Sequence, residues 1–149
     1  MVKNRIYLDN CCLNRPYDDQ NNLNVRLEAE AKIFIQNEIL NNTFELAWSF
    51  MMDYEISSNP FHDRQIAFLN WKKIAVVDID PIEEILRDGK NISRKNIKRK
   101  DALHIACAIK AECEYFLTTD VKILNKDIPE INLINPLDFI RHLYTGEKL

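Results

Sequence analysis

Apolar positions in this chain form two kinds of run that alternate from one end to the other. Short, nearly continuous runs occur at 5–8 (Ile6, Tyr7, Leu8), 44–48, 74–79, 115–119 and 131–134, and each predicts a β-strand. Between them the apolar residues recur every three or four positions, which predicts helices. Leu27, Ala31, Phe34, Ile35 and Ile39 mark one over 26–40, and Ser49 is a natural N-cap for another over 50–57, stopped by Asn59-Pro60. Further helices are predicted over 61–73, 81–87 and 101–112, and from Pro136 onward. The 101–112 segment is apolar almost all round and reads as a central buried helix; the 74–79 run reads as a buried parallel strand. The polar stretch 14–24 reads as a loop. Strands alternate with helices throughout, so the expected fold is α/β with a mainly parallel sheet. Without a repeat, linker or low-complexity tract, residues 1–149 read as a single domain.

Composition narrows the function classes. With 46% hydrophobic and 29% charged residues the chain is ordinary globular material, and its 149 residues suffice for one core. Neither of its two glycines, Gly89 and Gly146, sits in a glycine-rich phosphate loop, which excludes a Walker or Rossmann nucleotide site. A net charge of −3 gives no sign of nucleic-acid binding. The distribution is less bland: Arg94, Lys95, Lys98, Arg99 and Lys100 form a basic run that is either a nucleic-acid contact or a solvated loop. The four cysteines show no C-x-x-C spacing and suit a reducing compartment. No apolar run near Met1 resembles a signal peptide, and no stretch approaches the ~18 apolar residues of a membrane span. A cytoplasmic protein with no membrane contact is therefore expected.

Ligands of an open parallel sheet bind beyond the carboxyl ends of its strands. Two predicted strands end in an aspartate, Asp9 and Asp120. Asp101 opens a helix directly after the basic run, and Glu55 lies on the short helix after the second strand, with Asp53 as its competitor. Singly, each has a plainer explanation. A strand-end aspartate can simply turn the chain, Asp101 can answer the helix dipole, and Glu55 can be a solvated helix residue. Brought to one sheet edge, the four would raise one another's pKa, a penalty that a divalent cation removes. Carboxylate oxygens with little histidine or thiolate suit Mg²⁺ or Mn²⁺ rather than zinc.

Four segments carry a family resemblance: Ile6-Tyr7-Leu8-Asp9-Asn10-Cys11-Cys12-Leu13-Asn14, Ser49 through Tyr54-Glu55, Asp101-Ala102-Leu103-His104-Ile105-Ala106, and Phe116-Leu117-Thr118-Thr119-Asp120. In this order, over most of the chain, they resemble PIN-domain proteins, close to the VapC-type toxin ribonucleases. The resemblance implies a three-layer α/β/α sandwich and a Mg²⁺- or Mn²⁺-dependent endoribonuclease that hydrolyses phosphodiester bonds, leaving 5′-phosphate and 3′-hydroxyl ends. It matches Asp9, Glu55, Asp101 and Asp120 to the family's catalytic, metal-binding quartet. It also matches Thr118 to the threonine two positions before the last aspartate. Many relatives carry a further acid where this chain has Lys122, which leaves open whether one metal or two would bind. An RNA substrate, a homodimer and an antitoxin partner are also implied.

Two other readings stand beside it: a non-catalytic PIN-like protein that binds RNA or serves as a scaffold, and a DNA endonuclease, since nothing in the sequence reads a 2′-hydroxyl. Val76-Val77-Asp78-Ile79-Asp80 imitates the start of a haloacid-dehalogenase-type phosphatase, but too little chain follows for that core. His104, Cys107 and Cys113 resemble half a zinc site, yet on an all-round apolar helix they read as packed core. Finally, Phe50, Met51, Met52, Tyr54, Phe61 and Phe68 exceed what one core face needs. Residues 50–72 are therefore expected to form a homodimer face or antitoxin groove, unless the terminal helix covers them.

Overall fold

The structure, a computed structural model, describes residues 1–145, so the last four residues of the expected domain lie outside the described residues. Five strands, β1 (Val2–Leu8), β2 (Glu45–Ser49), β3 (Val77–Ile79), β4 (Cys113–Leu117) and β5 (Asn132–Ile134), form one parallel sheet in the order β3-β2-β1-β4-β5. The chain leaves β1 toward one edge through β2 and β3, then returns to the other side through β4 and β5. That reversal puts a topological switch point between β1 and β4, where the loops above the sheet diverge.

Helices cover both faces. They are α1 (Asn10–Asn14), α2 (Leu23–Leu40), α3 (Phe50–Ser57), α4 (His62–Lys72), α5 (Glu83–Ser93), α6 (Arg99–Lys110), α7 (Val121–Leu124) and α8 (Pro136–Thr145). α2 packs with α8, while α3 contacts α4 and α6, and α5 lies along α6. The expected α/β/α sandwich is the one observed. Among the described residues no helix is long and apolar enough to cross a membrane.

Local chemistry explains how the strand ends are built. Asp9, Ser49 and Asp120 each follow or close a strand and cap the next helix with a side-chain oxygen, accepting from the backbone N–H groups of Asn10, Met51 and Lys122. The 101–112 segment is indeed the central helix, with Ala102, Ile105, Ala106, Cys107 and Ala108 buried. It comes close to α5 because Gly89 offers no side chain: a Cβ there would stand 2.7 Å from Leu103 Cδ2. With glycine scarce, left-handed backbone positions fall to Asn4, Asn42 and Asn96, and to Glu112.

Three expectations about burial change. The 74–79 run forms only the three-residue edge strand β3, which pairs on one side alone and leaves Val76 exposed. On α2, Phe34 is exposed, while the polar residues Glu28, Lys32 and Gln36 are buried beside Ala31, Ile35 and Ile39. Glu28 is held there by Arg15 and Asn135, whereas burial lowers the Lys32 ammonium to about 8. The surplus apolar set of 50–72 also divides. Met51, Met52 and Phe68 enter the chain's own core, Tyr54 and Phe61 stay exposed, and α8 packs on α2 rather than over them.

Candidate active site

The switch point gathers the strand-end residues. Asp9 leaves β1 almost fully buried, 6% exposed, and its carboxylate is tied down on both oxygens. Oδ1 accepts from the Asn10 backbone N–H at 2.8 Å; Oδ2 accepts from Thr118 Oγ1 at 2.9 Å and from Cys11 Sγ at 3.4 Å. Thr118 also accepts the Asp120 backbone N–H at 3.1 Å, so one hydroxyl positions both strand-end aspartates. Burial pushes the Asp9 carboxyl up, against the opposing influence of His104 and these hydrogen bonds.

Glu55 is anchored from below. Its Oε1 stands 2.6 Å from Nε2 of His104, which is completely buried on α6. His104 Nδ1 meets the Tyr7 hydroxyl at 2.6 Å, and that hydroxyl meets Ser49 Oγ at 2.7 Å. A continuous polar chain therefore runs from Glu55 through the core to the N-cap of α3. The Tyr7 ring is stacked on Phe116 at 5.4 Å, which holds the phenol in place. Burial alone would lower His104, but the bond to Glu55 and the charges of Asp9, Glu55 and Asp101 raise it above its ordinary value. Burial would likewise raise Glu55, but His104, Asn10 and Lys100 hold it below the usual carboxylate range. Asp53, the competing acid, turns away: it accepts from Trp48 Nε1 and from Lys72 Nζ, both at 3.0 Å.

The other two acids are held loosely. Asp101, in the first turn of α6, accepts no hydrogen bond among the described residues. Its carboxyl is raised by burial and then by Asp9 and Asp120. Asp120 keeps only its capping bond to Lys122 N–H, at 2.9 Å. Together with Glu55 and Asn10 they line one depression of ≈ 610 Å³, whose rim carries Lys98, Arg99 and Lys100. The basic run therefore splits. Arg94 and Lys95 lie elsewhere, with Lys95 Nζ bonded to the Asp127 carbonyl at 2.8 Å.

The donor set around this depression fits a hard divalent cation, being made of oxygens with net negative charge. Asn10 Oδ1 adds a buried carbonyl oxygen that has no hydrogen-bond partner. As the side chains stand, no three His, Cys, Asp or Glu groups among the described residues close on a single point. Thr118 and His104 fix two of the carboxylates, Asp9 and Glu55. Lys122, at the position of the further acid, is exposed.

Sequence reading missed His104, assigning it to core packing alone. Its signal was the i, i+3 spacing from Asp101, which sets both on neighbouring faces of one helix turn. Tyr7, Asn10 and Cys11 carried no comparable signal.

No protein-family model and no curated protein matches the chain. Among solved structures, a chain of VapBC2 from Rickettsia felis, crystallised bound to a DNA fragment from their promoter, superposes with a TM-score of 0.55 at 16% identity. The match covers 88% of this chain and 98% of that one. The protein thus has a PIN-like fold, with its four sequence-nominated acids at the carboxyl edge of the sheet.

Proposed function

We propose that this protein is a Mg²⁺- or Mn²⁺-dependent endoribonuclease of the VapC toxin kind, cytoplasmic, homodimeric and paired with an antitoxin. The observation that carries the reading is the delivery of Asp9, Glu55, Asp101 and Asp120 from four separate chain segments to one sheet edge. Such clustering is costly at Asp101, whose carboxyl is raised by burial and by the neighbouring acids, and a cation-dependent reaction gives it a purpose. Structural likeness to VapBC2 supports the toxin–antitoxin setting.

In this reading Asp9, Glu55, Asp101 and Asp120 would hold the cation, with Asn10 Oδ1 as a neutral oxygen beside them. When bound, the ion would supply a nucleophilic hydroxide near neutral pH and offset charge on the phosphate. The chain's own work is positioning. Thr118 orients Asp9, His104 orients Glu55, and the rim cations Lys98, Arg99 and Lys100 draw the polyanion toward an acidic floor that would otherwise repel it.

The test is RNA cleavage with Mn²⁺ or Mg²⁺ and with EDTA, using Asp9→Asn as control. Cleavage confined to the metal-loaded native protein supports the reading. Full activity in EDTA or in the variant overturns the mechanism, and RNA binding without any cleavage favours the non-catalytic alternative. Reversing Lys98 and Arg99 should flatten the salt dependence of RNA binding, while reversing Arg94 should not.

A further inference from the structure

Four large side chains of α3 behave differently from one another. Met51, Met52 and Ile56 are buried, but Tyr54 projects the other way and is 52% exposed. Its ring contributes little to the core, yet it borders the same depression as Glu55, Asp101 and Asp120. Lys100 Nζ stands 5.3 Å from the ring centroid. The ammonium thus stands over one face of the ring, as a cation–π pair at the edge of the acidic floor.

Other exposed rings do not share this setting. Phe61 is equally exposed and Tyr17 nearly so, and both likewise carry a cation, the Arg64 guanidinium, at 3.9 and 4.5 Å from their centroids. They line a separate hollow that contains none of the four acids of the candidate site. Among the described residues, Tyr54 carries the one exposed ring that lines the depression together with its carboxylates and its cationic rim.

A nucleotide, a flat base joined to an anion, offers each half of this pair a partner: the base for the exposed ring and the phosphate for the ammonium drawn off it. We propose that Tyr54 is a stacking platform for one unpaired nucleobase next to the acidic depression, with Lys100 taking an adjoining phosphate. The proposal rests on the nuclease reading for its substrate but not for its test, which needs no cleavage. In a duplex each base face is already covered by its neighbours, so only a single-stranded segment can offer one to Tyr54. Tyr54 lines the same depression as Glu55, Asp101 and Asp120, so a base stacked on it would lie next to the acidic floor. Because stacking uses the π-face common to all bases, the subsite selects for strandedness more than for sequence.

The experiment measures binding of a fluorescent single-stranded RNA, and of the same sequence closed into a duplex, by the full chain in EDTA. Tyr54→Ala should weaken single-strand binding by about 5- to 100-fold and leave duplex binding unchanged. Tyr54→Phe should bind as the native chain does, which separates loss of the ring from loss of the fold. Tyr54→Trp should have its added fluorescence quenched by the single strand and not by the duplex, after subtraction of Trp48 and Trp71. Unchanged single-strand affinity in Tyr54→Ala, an equal loss for both strands, or no quenching overturns the platform. If the native chain binds single strands through Tyr54 but cleaves none with Mn²⁺ or Mg²⁺, the nuclease reading falls and the platform stands. Metal-dependent cleavage with Tyr54→Ala binding unimpaired gives the reverse.

Discussion

The four carboxylates at the carboxyl edge of the sheet fall into two pairs that the protein treats in opposite ways. Asp9 and Glu55 are locked by buried partners, Thr118 and Cys11 for one and His104 for the other. Asp101 and Asp120 lie at the helix starts above them, one without a hydrogen bond and the other with only its cap. The first pair is part of the folded core, because each member satisfies a buried polar group that would otherwise be stranded. The second pair contributes charge and, through Asp120, the cap of α7. A site built this way keeps half of its geometry preorganised while the other half remains free to move toward a ligand. The difference also predicts that function and stability will respond differently to substitution within one quartet.

The largest expected effect tests whether the pairs are equal in function. Asp9→Asn and Asp101→Asn should each reduce metal-dependent RNA cleavage by on the order of 10²–10³-fold or more. Retention of native activity by either, measured with a fluorogenic RNA, breaks the claim that both pairs serve one reaction.

Next comes the anchor of the locked pair. His104→Leu leaves the Glu55 carboxylate and the Tyr7 hydroxyl without their buried partner, so urea unfolding should show a loss of about 2–4 kcal/mol. His104→Gln, which can still reach Glu55, should lose less. Equal, small losses in both variants would reduce the chain to incidental packing. Thr118→Val removes a donor from Asp9 and an acceptor from the Asp120 N–H, and should cost about 1–2 kcal/mol in the same assay.

The loose pair should show the opposite sign. Asp101→Asn removes charge that its neighbours disfavour, so the metal-free variant should melt slightly above the native protein, by a few degrees at most. A clear fall in melting temperature would show that Asp101 is anchored after all.

The smallest effect lies in the pH dependence of metal-free stability. His104 is raised above 6.5 on folding, so its contribution is complete below that pH and is lost as pH rises through its folded pKa. Glu55 is lowered below 4.5, so its contribution is present above that pH and is lost as pH falls through its folded pKa. The pair therefore supports the fold most between these values. Asp9 and Asp101 are raised from 3.8, so their ionisation withdraws stability as pH climbs through their folded pKa values. Asp101→Asn should flatten that decline, while His104→Gln should remove the loss near neutrality. Parallel curves for the native chain and both variants would contradict the contrast.

Much of this was legible along the chain, because strands and caps are local. A run such as Ile6-Tyr7-Leu8 closed by Asp9, or Phe116-Leu117 followed by Thr118-Thr119-Asp120, states in adjacent letters that a strand ends and a helix is capped. The alternation of such runs with helical spacing also announced an α/β fold with a parallel sheet. Burial was less legible. Helical spacing placed Ala31, Ile35 and Ile39 inward, as they are, but also Phe34, which is exposed; Glu28 is buried instead, received by Arg15 and Asn135 from elsewhere in the fold.

By itself, then, the sequence determined the elements, their order and the positions of three of the four acids, Asp9, Asp101 and Asp120, at strand ends and helix starts. Only the tertiary structure decided between Asp53 and Glu55, two residues apart on one short helix. Lys72 and Trp48 draw the first away, and His104, from a segment far along the chain, receives the second. The physical reason is that hydrogen bonds to buried groups depend on where the chain returns in space, whereas strand ends and caps depend on neighbours a few residues away. The same holds for Tyr54 and the methionines beside it. Hydrophobicity marked them all alike, and packing alone determined that the methionines enter the core and the ring faces the site.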